Sequence, residues 1–142
     1  MAKALAGWEL QEAHDGRLSP LARGAVPRAD VTSLWCRPGP AAPWEFQLML
    51  DEREGQEWVF RRHRGVRRPI SGLLLGGSLP CLRPEVQLLY KAKSPRPKDE
   101  ADFGVIAPLL DPSACRWLGD ALAVAHPGHP WIRSLRRLPR TG

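Results

Sequence analysis

Lysines and aspartates crowd the stretch Tyr90-Lys91-Ala92-Lys93-Ser94-Pro95-Arg96-Pro97-Lys98-Asp99-Glu100-Ala101-Asp102-Phe103. Cations and carboxylates that meet where a chain turns sharply can hold a phosphate or a metal-bound phosphate. The same residues also make an ordinary capped turn. Two helices must position them. Leu82-Arg83-Pro84-Glu85 reads as the start of the first, because proline is tolerated at the first helical position and an acid favours the positive N-terminus. Val86, Leu89 and Tyr90 then share a face at helical spacing. The second helix is expected to start near Lys98, with Phe103, Ile106, Ala107 and Leu110 as its buried stripe. Asp99 and Asp102 stand three apart and project together from its first turn, while Lys91 and Lys93 leave the preceding helix just before the joint.

A further carboxylate lies inside a strand. Trp44-Glu45-Phe46-Gln47-Leu48-Met49-Leu50 alternates, with Trp44, Phe46, Leu48 and Leu50 on one face and Glu45, Gln47 and Met49 on the other. Glu45 either completes a cation–phosphate arrangement with the lysine–aspartate joint or faces water on an amphipathic sheet. Most other catalytic constellations are missing from the sequence: there is no G-x-S-x-G elbow, P-loop, G-x-G-x-x-G or H-E-x-x-H. His126 and His129 flank prolines and read as turn residues at a helix end rather than as metal ligands. Asp51, Glu52 and Glu54 sit at an expected hairpin turn, where solvated charges belong.

The chain has 142 residues, a single-domain length, and a net charge of +6. Basic balance permits an anionic partner, yet no aromatics interleave with a basic run and no recognition helix stands out, which disfavours nucleic acid. The run Arg61-Arg62-His63-Arg64-Gly65-Val66-Arg67-Arg68 reads as a solvated loop after a strand. Three widely separated cysteines form no C-x-x-C pair, and a reducing cytoplasm is the expectation. No charged-then-apolar leader opens the chain, and no apolar run approaches the ~20 residues of a membrane span. Six tryptophans, spread along the chain, suit core and edge packing better than a stacking platform.

Organisation follows hydrophobic period. Residues 8–82 are strand-rich: Trp8-Glu9-Leu10-Gln11 alternates, His14-Asp15-Gly16-Arg17 turns, Val31 to Cys36 suits a pleated surface, and Arg37-Pro38-Gly39-Pro40 ends it. Trp58-Val59-Phe60-Arg61 is the expected hairpin partner of the Trp44–Leu50 strand. Residues 84–126 are helical, and Asp111-Pro112 caps a third helix whose stripe is Ala114, Trp117, Leu118, Ala121, Leu122 and Ala125. Residues 133–142 read as a frayed basic tail. The expected class is α+β: one domain spanning 1–142, with a mixed or antiparallel sheet followed by a C-terminal three-helix segment.

These pieces together resemble one family. The run Gly7-Trp8-Glu9-Leu10, the strand entry Arg37-Pro38…Pro43-Trp44-Glu45 and the segment Asp51-Glu52…Gly55…Glu57-Trp58-Val59-Phe60-Arg61-Arg62 carry the first part of the likeness. Arg68-Pro69, Leu82…Pro84-Glu85-Val86…Leu88-Leu89-Tyr90-Lys91-Ala92-Lys93, Arg96-Pro97-Lys98-Asp99…Asp102-Phe103 and His126-Pro127-Gly128-His129-Pro130-Trp131 carry the rest. The chain is similar, over roughly Leu5 to Leu135, to nucleotidyltransferases related to the aminoglycoside and lincosamide enzymes, in the polymerase-β-type group. The resemblance implies transfer of a nucleoside monophosphate from a nucleoside triphosphate to a hydroxyl of a small molecule such as an aminoglycoside, with Mg2+ clamping the attacking and leaving oxygens. It implies Glu45 as the strand acid that binds metal, Asp51 as a weaker substitute, and Lys91 and Lys98 as the residues facing the triphosphate. Asp99 and Asp102 would organise the joint through turn and lysine contacts.

The departure from the family pattern matters as much. The sequence holds no Asp-x-Asp and no Gly-Gly segment before Trp8. Met1–Gly7 reads as the last turn of a helix, so the expectation is a partial nucleotidyltransferase fold whose leading catalytic segment would precede Met1. One carboxylate cannot organise a metal pair, and the chain alone is expected to be inactive. A missing strand would expose a sheet edge and apolar faces that a homodimer would cover. The alternative is a non-catalytic binding module for an anionic ligand or partner, a nucleotide or RNA.

Overall fold

A computed structural model of the chain describes residues 5–76 and 81–138. It is α+β, as expected, and gathers into two compact units, residues 1–51 and 52–142. The division falls at Asp51, within the stretch that reads as one strand-rich part.

The N-terminal unit is an antiparallel sheet of β1 (Glu9–His14), β2 (Arg17–Pro20), β3 (Ser33–Arg37) and β4 (Phe46–Met49), in the order β2-β1-β3-β4. Asp15 and Gly16 both take positive φ, +46° and +71°, which is the two-residue turn whose twist suits a tight hairpin. Leu10 pairs with Cys36, and Cys36 with Phe46, so the apolar face runs across three strands. Val31, Leu34 and Cys36 are buried there, with Trp8, Leu10, Leu21, Phe46, Leu48 and Leu50 packed around them. The alternation read over Trp44–Leu50 holds: its even-numbered residues are half-buried and Glu45, Gln47 and Met49 are exposed. The expected helix turn at Met1–Gly7 falls partly outside the described residues; Leu5–Gly7 form a turn in which the Trp8 N–H donates to the Leu5 carbonyl.

The C-terminal unit opens with β5 (Glu52–Glu54), β6 (Glu57–Val59) and β7 (Arg67–Pro69) in one antiparallel sheet, and β8 (Leu74–Leu75) pairs with β9 (Cys81–Leu82). The partners of β6 are therefore β5 and β7, where the sequence suggests the Trp44–Leu50 strand. The turn that matters is Gly55-Gln56, with Gly55 at φ +58°; it folds Glu52–Glu54 back as a strand of its own instead of leaving it as loop.

Among the described residues four helices follow where three were expected: α1 (Pro84–Lys91), α2 (Pro97–Ile106), α3 (Pro112–Ala125) and α4 (Pro130–Arg137). Each begins with a proline whose missing N–H would have no helical partner anyway. Asp111 accepts from the Ser113 and Ala114 N–H groups at the start of α3. Of the expected basic tail, residues 133–137 belong to α4. Its arginines mask an amphipathic pattern in which Trp131 and Leu135 are buried while Arg133, Arg136 and Arg137 are exposed.

The core of this unit joins Trp58, Phe60 and Val66 to Val86, Leu88, Leu89, Phe103, Leu118, Leu122 and Trp131. Phe103 and Trp131 stack at 4.3 Å, and the indole N–H of Trp131 donates to Glu100 at 2.8 Å. Glu85 is buried on α1 and accepts from Arg68 at 2.6 Å, while the Arg68 guanidinium lies 4.7 Å from the Trp117 ring centre.

Candidate functional site

The joint between α1 and α2 folds as a closed electrostatic knot. Lys91, in the last turn of α1, donates to Asp99 Oδ1 at 2.9 Å and to Asp102 Oδ2 at 2.7 Å. Asp99 Oδ2 accepts the Arg96 backbone N–H at 3.0 Å and Arg96 Nε at 2.9 Å. The three-residue spacing of the aspartates puts both carboxylates on the side of α2 that meets Lys91. Arg96, then Lys91, then the Arg96 backbone amide hold the Asp99 carboxyl far below the usual carboxylate range. Asp102 and Asp99 in turn raise the Lys91 ammonium. The Asp99 carboxylate and the Lys91 ammonium are therefore both ionised at neutral pH.

Beside the knot is an open recess of about 260 Å³ lined by Arg62, Tyr90, Lys91, Lys93, Ser94, Arg96 and Asp99. Arg62 comes from the segment between β6 and β7. It donates to the Tyr90 carbonyl at 2.8 Å and lies 5.5 Å from the Tyr90 ring centre. Tyr90 is itself fixed edge-on against Phe60 at 5.1 Å. An arginine held at two points keeps a fixed fork of donors, which is the geometry that suits phosphate and carboxylate oxygens. Lys93 and Arg96 are exposed at the rim.

The sequence-derived residues fare unequally. Lys91, Asp99 and Asp102 converge as expected. Lys98 is exposed on the first turn of α2 and is not among the lining residues of the recess. Glu45 belongs to the N-terminal unit, where it is exposed just before β4 and its backbone N–H donates to the Cys36 carbonyl at 3.0 Å. Arg62 was not anticipated. Its run was read as solvated loop, yet Arg68 bonds Glu85, Arg64 bonds Glu52 and Glu54, and Arg67 bonds Glu54. Glu52 and Glu54 are thus strand residues paired with arginines, not free charges at a turn. The alternation of arginine partners along this run was the available signal.

The histidines close the α3–α4 turn. His129 Nδ1 accepts the Trp131 N–H at 3.2 Å. His126 ends α3, its backbone N–H donating to the Leu122 carbonyl at 2.7 Å. Its Nε2 is buried without a hydrogen-bond partner.

A divalent cation asks for several free oxygen ligands. Both oxygens of Asp99 and Oδ2 of Asp102 are engaged with Lys91 and Arg96, and among the described residues no three of His, Cys, Asp or Glu are grouped to hold a metal. Among the described residues no helix is long and apolar enough to cross a membrane. No protein-family model, curated protein or solved structure matches the chain.

Proposed function

We propose that the C-terminal unit is a phosphate-binding module of the nucleotidyltransferase type, which takes the anionic end of a nucleoside triphosphate and, alone, transfers nothing. One observation carries this reading. Four cationic side chains, Arg62, Lys91, Lys93 and Arg96, line one recess with a single carboxylate, Asp99; counting Asp102, which also pairs with Lys91, four positive charges stand against two negative ones. Such a surface attracts phosphate oxygens and repels an aminoglycoside, which is a polycation. The nucleotide is therefore the partner for this recess, and any cationic acceptor needs a different surface. The resemblance in sequence supports a nucleotide over other phosphates. The engaged aspartates support binding without metal-assisted transfer, since that transfer depends on charge stabilisation the joint does not supply.

Calorimetric titration of the whole chain with ATP, with and without Mg2+, tests the reading. Arg62→Ala and Lys93→Ala should each weaken binding by about tenfold, the scale of one charge-assisted hydrogen bond. Absence of ATP binding, or binding untouched by both substitutions, would sink the proposal. A parallel assay with nucleotides and aminoglycosides should give no nucleotidyl transfer, and robust Mg2+-dependent turnover would overturn the non-catalytic half.

A further inference from the structure

A hollow of about 350 Å³ lies between the short helical turn Ala107–Leu109, α3 and α4, and shares no lining residue with the recess. Its walls are largely apolar: Leu110 before α3, Ala123 on α3, and Ile132 and Leu135 on α4. Gly119, also on α3, keeps the space open. Glycine is the least favourable residue in a helix interior apart from proline, and it is needed there only where the backbone conformation or a close neighbour demands it. Neither applies. Gly119 is an ordinary residue of α3, and a Cβ added to it would meet no packing neighbour within 4 Å although the residue is half-buried.

Three exposed charged side chains also line the hollow: Arg116 and Asp120 of α3, and Arg136 in the last turn of α4. Elsewhere in this unit Arg64, Arg67, Arg68 and Arg96 each pair with a carboxylate. Among the described residues Arg116 and Arg136 pair with none, Asp120 included. Two guanidiniums against one carboxylate leave a net positive charge beside an apolar space of small-ligand size.

We propose that this hollow binds a small amphipathic carboxylate, its apolar body in the space over Gly119 and its head between Arg116 and Arg136. Burial of hydrocarbon supplies the affinity, and the guanidinium forks select and orient the head. Asp120 opposes the head, so the site favours one negative charge over several. The proposal does not depend on the phosphate-binding reading of the recess.

Octanoate is the probe, titrated calorimetrically into the whole chain, with octylammonium as its cationic counterpart. Octanoate should bind with a dissociation constant on the order of 0.1 mM, ordinary for so small a ligand, and octylammonium should not compete. Arg116→Ala and Arg136→Ala should each weaken octanoate about fivefold, the scale of one charge-assisted hydrogen bond. Asp120→Asn should tighten it. Gly119→Leu puts a side chain where the ligand body sits and should weaken octanoate at least about tenfold, yet unfold no sooner on heating, since leucine favours helix where glycine does not. Should Gly119→Leu fail to fold, the two arginine substitutions, both on the exposed surface, decide the matter. Absence of octanoate binding at millimolar concentration, equal binding of octylammonium, or affinity unmoved by the arginine substitutions or by a folded Gly119→Leu would overturn the proposal. The recess stands or falls on the ATP titration alone.

Discussion

Charge has different tasks in the two units. Residues 1–51 hold five Lys and Arg against six Asp and Glu, and residues 52–142 hold sixteen against nine. The whole basic excess belongs to the C-terminal unit. In the N-terminal sheet the charges fasten chain to chain. Glu12, nearly buried, accepts from the backbone and guanidinium of Arg28, tying down the long connection between β2 and β3. Glu9 takes two bonds from Arg37, which also lies 4.4 Å from the Trp44 ring centre. The C-terminal unit has such fasteners too, Arg68 with Glu85 and Lys91 with Asp99 and Asp102 among them, but its cations outnumber its carboxylates and four of them line one recess. Paired charge holds a fold together; surplus charge in one place is what attracts a ligand.

The cores differ in the same direction. Among the described residues three apolar residues are buried in the N-terminal unit and sixteen in the C-terminal one, so burial should dominate stability in the second far more than in the first. The largest expected effect follows from this. Trp131→Ala removes the ring stacked on Phe103 and the donor to Glu100, and should cost about 3–5 kcal/mol by denaturant unfolding followed on the C-terminal unit. A silent substitution would mean that α4 is not integral to this core.

The second prediction sets like against like. Glu85→Ala leaves Arg68 facing a closed core without its partner and should cost about 3 kcal/mol. Glu12→Ala leaves Arg28, which is half exposed and can turn to water, and should cost about 1 kcal/mol. Hydrogen exchange resolved by segment reads both losses in their own units. Equal costs would erase the contrast drawn between the two kinds of fastener.

Much of this contrast was legible in the sequence where the period was local. The β1–β2 hairpin, the β4 alternation, the proline starts of α1 and α3 and the Lys91–Asp99–Asp102 contacts all follow from spacing within a few residues. What escaped depends on partners far along the chain. Trp58-Val59-Phe60 reads as a strand whichever strand pairs with it, and only the turn at Gly55 selects β5. In Pro130-Trp131-Ile132-Arg133-Ser134-Leu135-Arg136-Arg137 the arginines dominate average polarity, and the apolar face becomes visible only once α3 and Phe103 are there to receive it. Arg62 is a recess residue only because the segment between β6 and β7 returns to the end of α1, 28 residues on. Charge runs state composition; which of their members are paired is a tertiary fact.

The smallest effect lies in the acid limb, and it sharpens the comparison at the level of single carboxylates. Asp99, held down first by Arg96 and then by Lys91, binds its proton far more weakly folded than at its unpaired value of 3.8. Its contribution to stability is therefore complete above 3.8 and is lost as pH falls below that value towards the folded one. Glu9, lowered first by Arg37, should behave likewise below 4.5 in the N-terminal unit. Asp99→Asn should flatten the acid dependence of the C-terminal unit alone, and Glu9→Gln that of the N-terminal unit alone, in unfolding curves taken across this range. Loss of acid dependence in both units from either substitution would show that the two carboxylates report on one cooperative structure. Then the division of labour between paired and surplus charge would have to be redrawn within a single folding unit.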